Sequence, residues 1–364
     1  MIVDRALEAR AAEDRPIRIA LIGAGFMARA IARQVARRVP GIRLTAVVNR
    51  HLEGAVDVWR EAGQEDTATA SNRSEFDRHI AAGRAVVAED PDLACDSEAI
   101  DVIVESTGAV EFGARVVMRA IDQGRHVVLN NAEADGTVGP ILHRMARDQG
   151  RVLTGIDGDQ PAVQMNLLRF VRTLGLRPLV CGNVKGLQDP YRTPVTQAEF
   201  ARRWKQDAHK VTGFADGTKI SFEQAIVGNA TGFGVSRRGM GGGEFRKHVD
   251  ELVSHYDVDV LKTSGGIVDY VVGAQPAPGV YVIALEEDPR EREFLRLYKM
   301  GEGPLYVFYV PYHLCHYEVP LTIARAALFA DAAIAAAGPP VVEVVATAKT
   351  DLSPGRRSMG SADS

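Results

Sequence analysis

The sequence predicts an α/β protein, in which a doubly wound parallel sheet is followed by a second, α+β domain that is mainly antiparallel. Short apolar runs alternate with helical segments over the first 160 residues, which is the pattern of a parallel sheet covered by helices. A glycine-rich turn directly follows the first of these runs. Later the alternation gives way to loops and then to short runs typical of strands, which indicates the second domain.

The first strand is predicted at Ile17–Ile22, because nearly every position is apolar, as in a parallel strand buried on both faces. A helix with an apolar face is predicted at Met27–Arg38, and a second strand at Leu44–Val48. The same alternation predicts further strands and helices downstream. They are the strands Ile100–Glu105, His126–Leu129 and Val152–Ile156, and the helices Glu111–Asp122 and Val138–Gln149.

The second half is predicted to be more irregular. Helices are expected at Gln160–Leu174 and, within a loop-rich stretch from 180 to 243, at Lys219–Asn229. Strands at Ile267–Val272 and Val280–Leu285 flank a proline- and glycine-rich turn, which predicts a hairpin. A third strand is expected at Leu305–Val310. The alanine-rich segment from 321 to 337 is predicted to be a helix that packs back onto the first domain.

These elements predict a first domain of residues 1–160 completed by 318–350, and a catalytic and dimerisation domain of residues 161–317. Residues 351–364 are polar and rich in glycine and serine, so we expect a disordered tail. Open sheet edges in the second domain favour a homo-oligomer, either a dimer or a tetramer.

Composition excludes several classes of protein. The 43 Lys and Arg residues nearly balance the 47 Asp and Glu residues, so no general basic surface for nucleic acid is expected. No apolar run approaches the ~18 residues that span a bilayer, and the acidic N-terminal stretch does not fit a secretory signal. Three scattered cysteines do not make a disulfide framework or a four-cysteine zinc site. We expect a soluble, cytoplasmic protein with a small-molecule substrate, and neither a nucleic-acid nor a membrane partner.

The glycine-rich turn, Gly23 to Ala28, matches the pattern G-x-G-x-x-A. Gly23 permits the tight turn, and Gly25 lets a pyrophosphate approach the backbone, where Phe26 and Met27 begin a helix. The N-terminus of that helix offers N–H groups and a partial positive charge to phosphates. Because the motif lies between a predicted strand and helix, it indicates a dinucleotide-binding Rossmann domain rather than an ordinary glycine turn.

The second strand ends in Asn49 and Arg50, without the acidic residue that usually holds the ribose 2′-hydroxyl of NAD. Arg50 could pair with a 2′-phosphate, so NADP(H) is favoured over NAD(H). The alternative is a solvated arginine and a mixed preference. Polar residues end two further strands and are expected to line the nicotinamide end, although they could simply form turns. They are Ser106, Thr107, Gly108 and Asn130.

Hydride transfer to a carbonyl requires a group that stabilises the developing alkoxide. Lys185 follows an apolar run and could reach a substrate, or it could be a solvent-facing loop lysine. Asp216 is a candidate helix N-cap, and Lys219 and Glu223 are spaced to share one helix face. That spacing suits a carboxylate that orients a catalytic ammonium, and it equally describes a surface ion pair.

Two other clusters could contact the substrate. Arg237 and Arg238 beside a glycine-rich loop could bind a phosphate or a carboxylate, or lie on a mobile surface loop. Tyr312 and His313 lie where the chain turns back to the first domain and are candidates for substrate contact and acid–base catalysis. No carboxylate or cysteine completes a recognised zinc pattern with His313 and His316, so no metal site is predicted.

Five residue strings together are more specific than the glycine motif: Ile22–Met27, Val104–Gly108, Gly158–Pro161, Asp216–Lys219 and Pro311–His316. With them the sequence resembles the homoserine-dehydrogenase-like oxidoreductases, specifically the branch that includes deoxyxylulose-phosphate-reductoisomerase-like enzymes. The resemblance covers about residues 15–352. It implies a Rossmann domain, an α+β catalytic domain that also dimerises, and NADP(H). For the reductoisomerase-like members it implies rearrangement of a phosphorylated ketose, followed by carbonyl reduction.

The sequence also departs from the homoserine dehydrogenases. Those enzymes usually have a lysine soon after the strand-ending asparagine, where this chain has Ala132 and Glu133. They also have an acidic residue four positions before a helical lysine, whereas Asp216 precedes Lys219 by three. Homoserine is therefore not the expected substrate.

The leading hypothesis is an NADP-dependent oxidoreductase acting on a small polyhydroxy carbonyl compound or its alcohol, with or without a phosphate. A reductoisomerase is a close alternative. It would need a divalent cation, and no spacing of the acidic residues supports one. A third reading, from another class of protein, is a non-catalytic NADP-binding regulator, which would bind NADPH without consuming it.

Overall fold

The computed structural model describes residues 2–351 and 353–355, and these form two compact units. The first unit comprises the described residues up to Gly158, together with Leu314–Ala335. The second comprises Asp159–His313 and the described residues from Ala336 onward. Of the predicted tail over 351–364, residues 352 and 356–364 lie outside the described residues.

The first unit alternates helices and strands. In chain order its elements are α1 (Ile2–Ala12), β1 (Ile17–Ile22), α2 (Phe26–Arg38), β2 (Ile42–Val48), α3 (Leu52–Glu61), β3 (Thr67–Thr69), α4 (Arg73–Ala81), β4 (Ala85–Ala88), α5 (Pro91–Asp96), β5 (Val102–Glu105), α6 (Val110–Asp122), β6 (His126–Leu129), α7 (Ala132–Asp148) and β7 (Leu153–Gly155). The strands pair in parallel in the order β3-β4-β2-β1-β5-β6-β7, which confirms the predicted doubly wound sheet.

Two apolar clusters, built from opposite faces of the strands, form the core of this sheet. Residues within β1 therefore alternate between the clusters, Leu21 joining one and Ile22 the other, as a strand buried on both faces requires. The strands end level with one another: Ile22 pairs with Val48 of β2 and with Glu105 of β5. The loops that follow these strands consequently begin along one edge of the sheet.

The second unit begins with α8 (Gln160–Thr173). Its further elements are β8 (Arg177–Lys185), α9 (Pro194–Trp204), α10 (Ala208–Ala215), α11 (Thr218–Thr231), a 3₁₀ helix (Val249–His255), α12 (Val258–Ser264), β9 (Ile267–Val272), β10 (Gly279–Leu285), α13 (Pro289–Leu297) and β11 (Leu305–Val310). The strand order is β11-β10-β8-β9. Strand β10 runs antiparallel to both of its neighbours, whereas β9 runs parallel to β8.

The predicted hairpin of residues 267–272 and 280–285 is wrong, because β8 lies between β9 and β10 in the sheet. Strand β8 occupies a stretch that was predicted to be partly loop. Its apolar pattern is interrupted by Gly182 and Asn183, and both are buried in the sheet. Gly182 faces Tyr281 of β10 so closely that an added Cβ would overlap the ring, so this interruption is a packing requirement. Helices α9 and α10 also fall in the stretch predicted as loop.

The chain then returns to the first unit through a short 3₁₀ helix, His316–Glu318, and α14 (Val319–Phe329). Val319 and Ile323 of α14 join one of the two core clusters. Helix α14 ends eight residues before the predicted Ala337, since Ala330 adopts the left-handed conformation. Residues 336–350 were predicted to complete the first domain; they group with the second unit instead, because they bond to α11. None of the helices in the described part of the chain is long and apolar enough to cross a membrane.

Candidate functional site

The glycine turn after β1 has the geometry that a pyrophosphate site requires. Gly23 has φ +111°, and its N–H donates to the carbonyl oxygen of Val48 at 2.8 Å. Gly25 is the N-cap of α2 and supplies no side-chain cap, so the first N–H groups of the helix are left for another acceptor. A Cβ added at Gly25 would meet no described atom within 4 Å. The turn therefore offers both donors and room to a diphosphate.

The loop after β2 carries the residues predicted at the adenosine end. The backbone N–H of Asn49 donates to Ala88 at 3.0 Å, and its side-chain amide donates to the carbonyl of His51 at 2.9 Å. Arg50, between them, is exposed and makes no ion pair with any described residue. This geometry leaves a guanidinium at the end of β2, which suits a 2′-phosphate better than a bare hydroxyl.

The loops after β5 and β6 meet. The side-chain amide of Asn130 donates to the hydroxyl of Ser106 at 2.9 Å. Thr107 and Gly108 complete the turn after β5, and Gly108 has φ +72°. Together these residues build a polar edge beside the glycine turn, where an added Cβ at Gly23 would lie 2.8 Å from the carbonyl oxygen of Ser106.

Glu105, the last residue of β5, supports this edge and was not among the predicted site residues. Its fully buried carboxylate accepts from the backbone N–H of Thr107 at 2.8 Å, from the Thr107 hydroxyl, and from the amide of Asn131 at 3.1 Å. Burial raises the pKa of Glu105, although the hydrogen bonds from Thr107 and Asn131 act in the opposite direction. A charged residue ending an apolar run was the available signal in the sequence.

In the second unit the predicted Lys219 and Glu223 form an ion pair on α11. The ammonium of Lys219 lies 2.9 Å from a carboxylate oxygen of Glu223 and 3.6 Å from one of Asp159. The side chain of Glu223 is only 1% exposed, whereas that of Lys219 is 28% exposed. Burial raises the pKa of Glu223, against the attraction of Lys219. Because one partner is deeply buried, this is not the ordinary surface pair that the spacing alone would allow.

Lys185 ends β8 beside this pair. Its ammonium donates to the carbonyl of Phe214 at 3.2 Å. Burial lowers the pKa of Lys185, the nearby charge of Glu223 opposes that effect, and the charge of Lys219 adds to it. The predicted Lys185 and Lys219 therefore lie in one electrostatic environment.

Two buried amides that the sequence did not indicate complete the cluster. The side-chain amide of Asn183 donates to Gln160 at 2.5 Å and lies 3.4 Å from the carboxylate of Glu223. Its Oδ1 is buried and has no hydrogen-bond partner among the described residues. Asp159 and Gln160 lie in a different stretch of sequence from Glu223, so no local spacing could have revealed the cluster.

Asp216 is not the N-cap of α11, contrary to the prediction from its position before the helix. Gly217 is the N-cap of α11, and Asp216 instead accepts from the backbone N–H of Thr218 at 2.9 Å. Its other carboxylate oxygen lies 2.7 Å from the ammonium of Lys349. Asp216 therefore orders the start of the helix and is paired with a distant lysine.

The remaining predicted substrate residues have fewer contacts with the cluster around Lys219 and Glu223. Arg237 donates to the carbonyls of Met240 and Gly241, and Arg238 to the hydroxyl of Thr347, so the two guanidiniums do not converge on one point. Tyr312 is 55% exposed. His313 approaches the cluster, because one of its ring nitrogens and the carboxylate of Asp159 lie within 4.8 Å of each other.

Comparison with known protein families finds a match for each of two parts of the chain. Residues 17–131 match the family described as "Oxidoreductase family, NAD-binding Rossmann fold". Residues 158–319 match "Oxidoreductase DRL, catalytic domain". Residues 17–131 thus resemble a GFO/IDH/MocA-type NAD-binding domain, and residues 158–319 resemble a DRL oxidoreductase catalytic domain. Neither match is to the homoserine-dehydrogenase-like or reductoisomerase-like branch, so that finer resemblance is not confirmed. No curated protein sequence matches the chain.

Solved structures resemble parts of this chain. Levoglucosan dehydrogenase in complex with NADH is 17% identical, with a TM-score of 0.34 over 49% of this chain and 45% of that one. Biliverdin reductase from Synechocystis sp. PCC 6803, with biliverdin and NADP+, is also 17% identical, with a TM-score of 0.32 over 49% and 50%. A probable dehydrogenase from Thermotoga maritima is 13% identical, with a TM-score of 0.42 over 74% and 73%. The chain spans about half the length of the first two proteins. We infer nothing about the substrate of this chain from any of the three.

Proposed function

We propose that the chain is an NADP(H)-dependent oxidoreductase that interconverts a carbonyl and an alcohol on a small polyhydroxy compound, with or without a phosphate. The observation that carries this proposal is the ammonium of Lys219, held 2.9 Å from the buried carboxylate of Glu223. Lys219 is partly exposed while its partner is buried, so the charge is fixed yet can be reached by a ligand. Such a group can polarise a carbonyl and stabilise the developing alkoxide.

Each residue of the cluster has a distinct part in this mechanism. Lys219 donates a hydrogen bond to the substrate oxygen and gives it a proton as the carbonyl is reduced. Glu223 and Asp159 hold the ammonium in place. Lys185, whose pKa is lowered by burial, would return the proton to Lys219. When bound, the dinucleotide supplies the hydride.

The first unit would bind the cofactor. The open glycine turn at Gly25 fits a pyrophosphate, and Arg50, which forms no ion pair with any described residue, supports NADP(H) over NAD(H). Arg237 and Arg238 remain the candidates for an anionic group of the substrate, because each guanidinium retains N–H donors beyond those already bonded. Tyr312 and His313 remain candidates for contacts with its hydroxyl groups.

The other two hypotheses lack a supporting observation. A reductoisomerase would need a divalent cation, whereas the carboxylates of Asp159 and Glu223 both lie within 3.6 Å of the ammonium of Lys219. A non-catalytic regulator would not need a buried carboxylate, two lysines and two buried amides in one cluster. We therefore retain the simple oxidoreductase.

The test is consumption of NADPH with a panel of sugar-derived ketones and aldehydes, each with and without a phosphate. With the active substrate, Lys219→Ala is expected to lower kcat by about 10²–10⁴-fold, the usual contribution of a positioned acid. Lys262→Gln, which removes a surface ion pair with Glu287, is the matched control and should retain the wild-type rate. The proposal fails if NADPH is bound but never consumed, or if Lys185→Ala and Lys219→Ala both turn over at the wild-type rate.

A further inference from the structure

An extended segment of the second unit, residues 336–349, runs along α11 without forming a helix or a strand; we call it the C-terminal strap. Asn229, near the end of α11, binds it with both ends of its side chain. Its Oδ1 accepts from the backbone N–H groups of Val341 at 2.8 Å and Val342 at 3.1 Å, and its Nδ2 donates to the carbonyl of Val342 at 3.1 Å. The N–H of Ala337 also donates to the carbonyl of Asn229 at 2.9 Å.

The strap also packs directly against the helix. A Cβ added at Gly228 would lie 2.5 Å from a methyl carbon of Val342. Glycine is an unfavourable residue inside a helix, by about 1 kcal/mol relative to alanine. Its presence at this position is explained by the close approach of the strap.

At its far end the strap is fixed by charge. The ammonium of Lys349 lies 2.7 Å from the carboxylate of Asp216 and donates to the carbonyl of Arg192 at 2.6 Å. Burial alone would raise the pKa of Asp216, but hydrogen bonds from Lys349 and from the Thr218 backbone outweigh it, and the pKa is lowered. Asp216 therefore stays ionised while it holds the first N–H of α11.

These contacts lie on both sides of Lys219 and Glu223 along the same helix. We propose that the C-terminal strap sets the position of Lys219 for catalysis, and that Lys349 is a positioning residue acting through Asp216. The proposal rests on the function proposed above for Lys219. It extends the catalytic machinery beyond residue 319, where the match to the DRL catalytic domain ends.

The test compares Lys349→Gln, Lys349→Arg and the control Lys262→Gln in the full-length protein. The control removes an ion pair of the same length, 2.7 Å, elsewhere in the second unit. Hydrogen exchange of peptides covering 216–223 and 336–349 measures whether the start of α11 and the strap loosen. Steady-state kinetics separates kcat from the KM for NADPH, and thermal unfolding monitors stability.

We expect Lys349→Gln to speed exchange in both peptides and to lower kcat by about tenfold, as small displacements of a catalytic group do. The KM for NADPH should stay within twofold of the wild type, and Lys349→Arg should restore kcat. Unchanged exchange over 216–223, or an unchanged kcat despite faster exchange, overturns the proposal. An equal fall in kcat in Lys262→Gln also overturns it.

A second variant, Gly228→Ala, removes no charge. Its Cβ would lie 2.5 Å from a methyl carbon of Val342 and 2.9 Å from the carbonyl oxygen of Phe233, so it should displace the strap and lower kcat in the same way. If the wild-type protein consumes no NADPH with any substrate, the proposed function has failed. The exchange data then decide the structural claim by themselves, because they require no turnover.

Discussion

Replacing Gly25 by alanine should weaken dinucleotide binding while leaving the fold intact. Gly25 has φ −74° and ψ −175°, a conformation open to alanine, and its added Cβ would meet no described atom within 4 Å. Alanine is a poorer N-cap than glycine, which lowers stability, but it also reduces the conformational freedom of the unfolded chain, which raises stability. The free energy of unfolding should therefore change by less than about 1 kcal/mol. The new methyl group lies where the phosphates would approach the first N–H groups of α2.

Loss of one or two charged hydrogen bonds there corresponds to about 2 kcal/mol or more, since each contributes about 1.5–3 kcal/mol. The Kd for NADPH should therefore rise by about 30-fold or more. Calorimetric titration of wild type and Gly25→Ala with NADPH measures this directly, and thermal unfolding supplies the stability.

Gly23→Ala, unlike Gly25→Ala, should destabilise the fold. Its φ of +111° disfavours alanine, and the Cβ would lie 2.8 Å from the carbonyl oxygen of Ser106. Strain and overlap together should destabilise the first unit by about 3 kcal/mol. Gly150→Ala is the control that measures backbone strain alone, because Gly150 has φ +62° and no described atom lies near the new Cβ. This variant should lose only about 1 kcal/mol of stability. If Gly25→Ala binds NADPH as tightly as the wild type, the pyrophosphate does not lie on this turn.

Three further predictions concern the rest of the two sites. Arg50→Asp should shift the ratio of the Kd values for NADPH and NADH by at least about tenfold in favour of NADH. The reason is that the 2′-phosphate of NADPH loses its cation, while the 2′-hydroxyl of NADH gains a hydrogen-bond acceptor. An unchanged ratio in calorimetric titrations would exclude Arg50 from the cofactor site. The pKa of Glu105 is raised in the folded state, so its contribution to stability is greatest below the ordinary value of about 4.3 and declines as pH rises towards the folded value. Between pH 4 and 7, the free energy of unfolding measured in urea should accordingly decline less steeply with pH in Glu105→Gln than in the wild type. Parallel pH dependences of the two proteins would refute this. Asn183→Asp places a second buried carboxylate beside Glu223 and should destabilise the second unit by about 3 kcal/mol or more, which thermal unfolding of this variant against Asn183→Ala would measure.

The first unit could be predicted from sequence because its signals are local. The strand Ile17–Ile22 and its glycine turn are read from consecutive residues, and the structure reproduces them. Strands β3 and β4 are only three and four residues long, too short for a periodic pattern. The second sheet could not be predicted in the same way, because its central strand pairs with segments far away in the sequence.

The candidate site likewise combines a feature that could be predicted from nearby residues with others that could not. The contact between Lys219 and Glu223 follows from the helical repeat. Asp159, Gln160 and Asn183 reach that pair only through the packing of α8, β8 and α11, which no short pattern encodes. The pairing of Asp216 with Lys349 joins residues 133 positions apart, and only the folded chain displays it.

The path of the chain between its two units has a consequence for biosynthesis. The first unit is interrupted after Gly158 and resumes at Leu314, and the second is interrupted in turn by that return. Helix α14 belongs to the apolar core beneath the nucleotide-binding sheet, and Asp157 forms an ion pair with Arg325 of that helix. The sheet therefore reaches its mature state only after the ribosome has translated α14, Val319–Phe329. A cloned fragment ending at residue 313 would lack the helix that finishes one unit and the segment that braces the other.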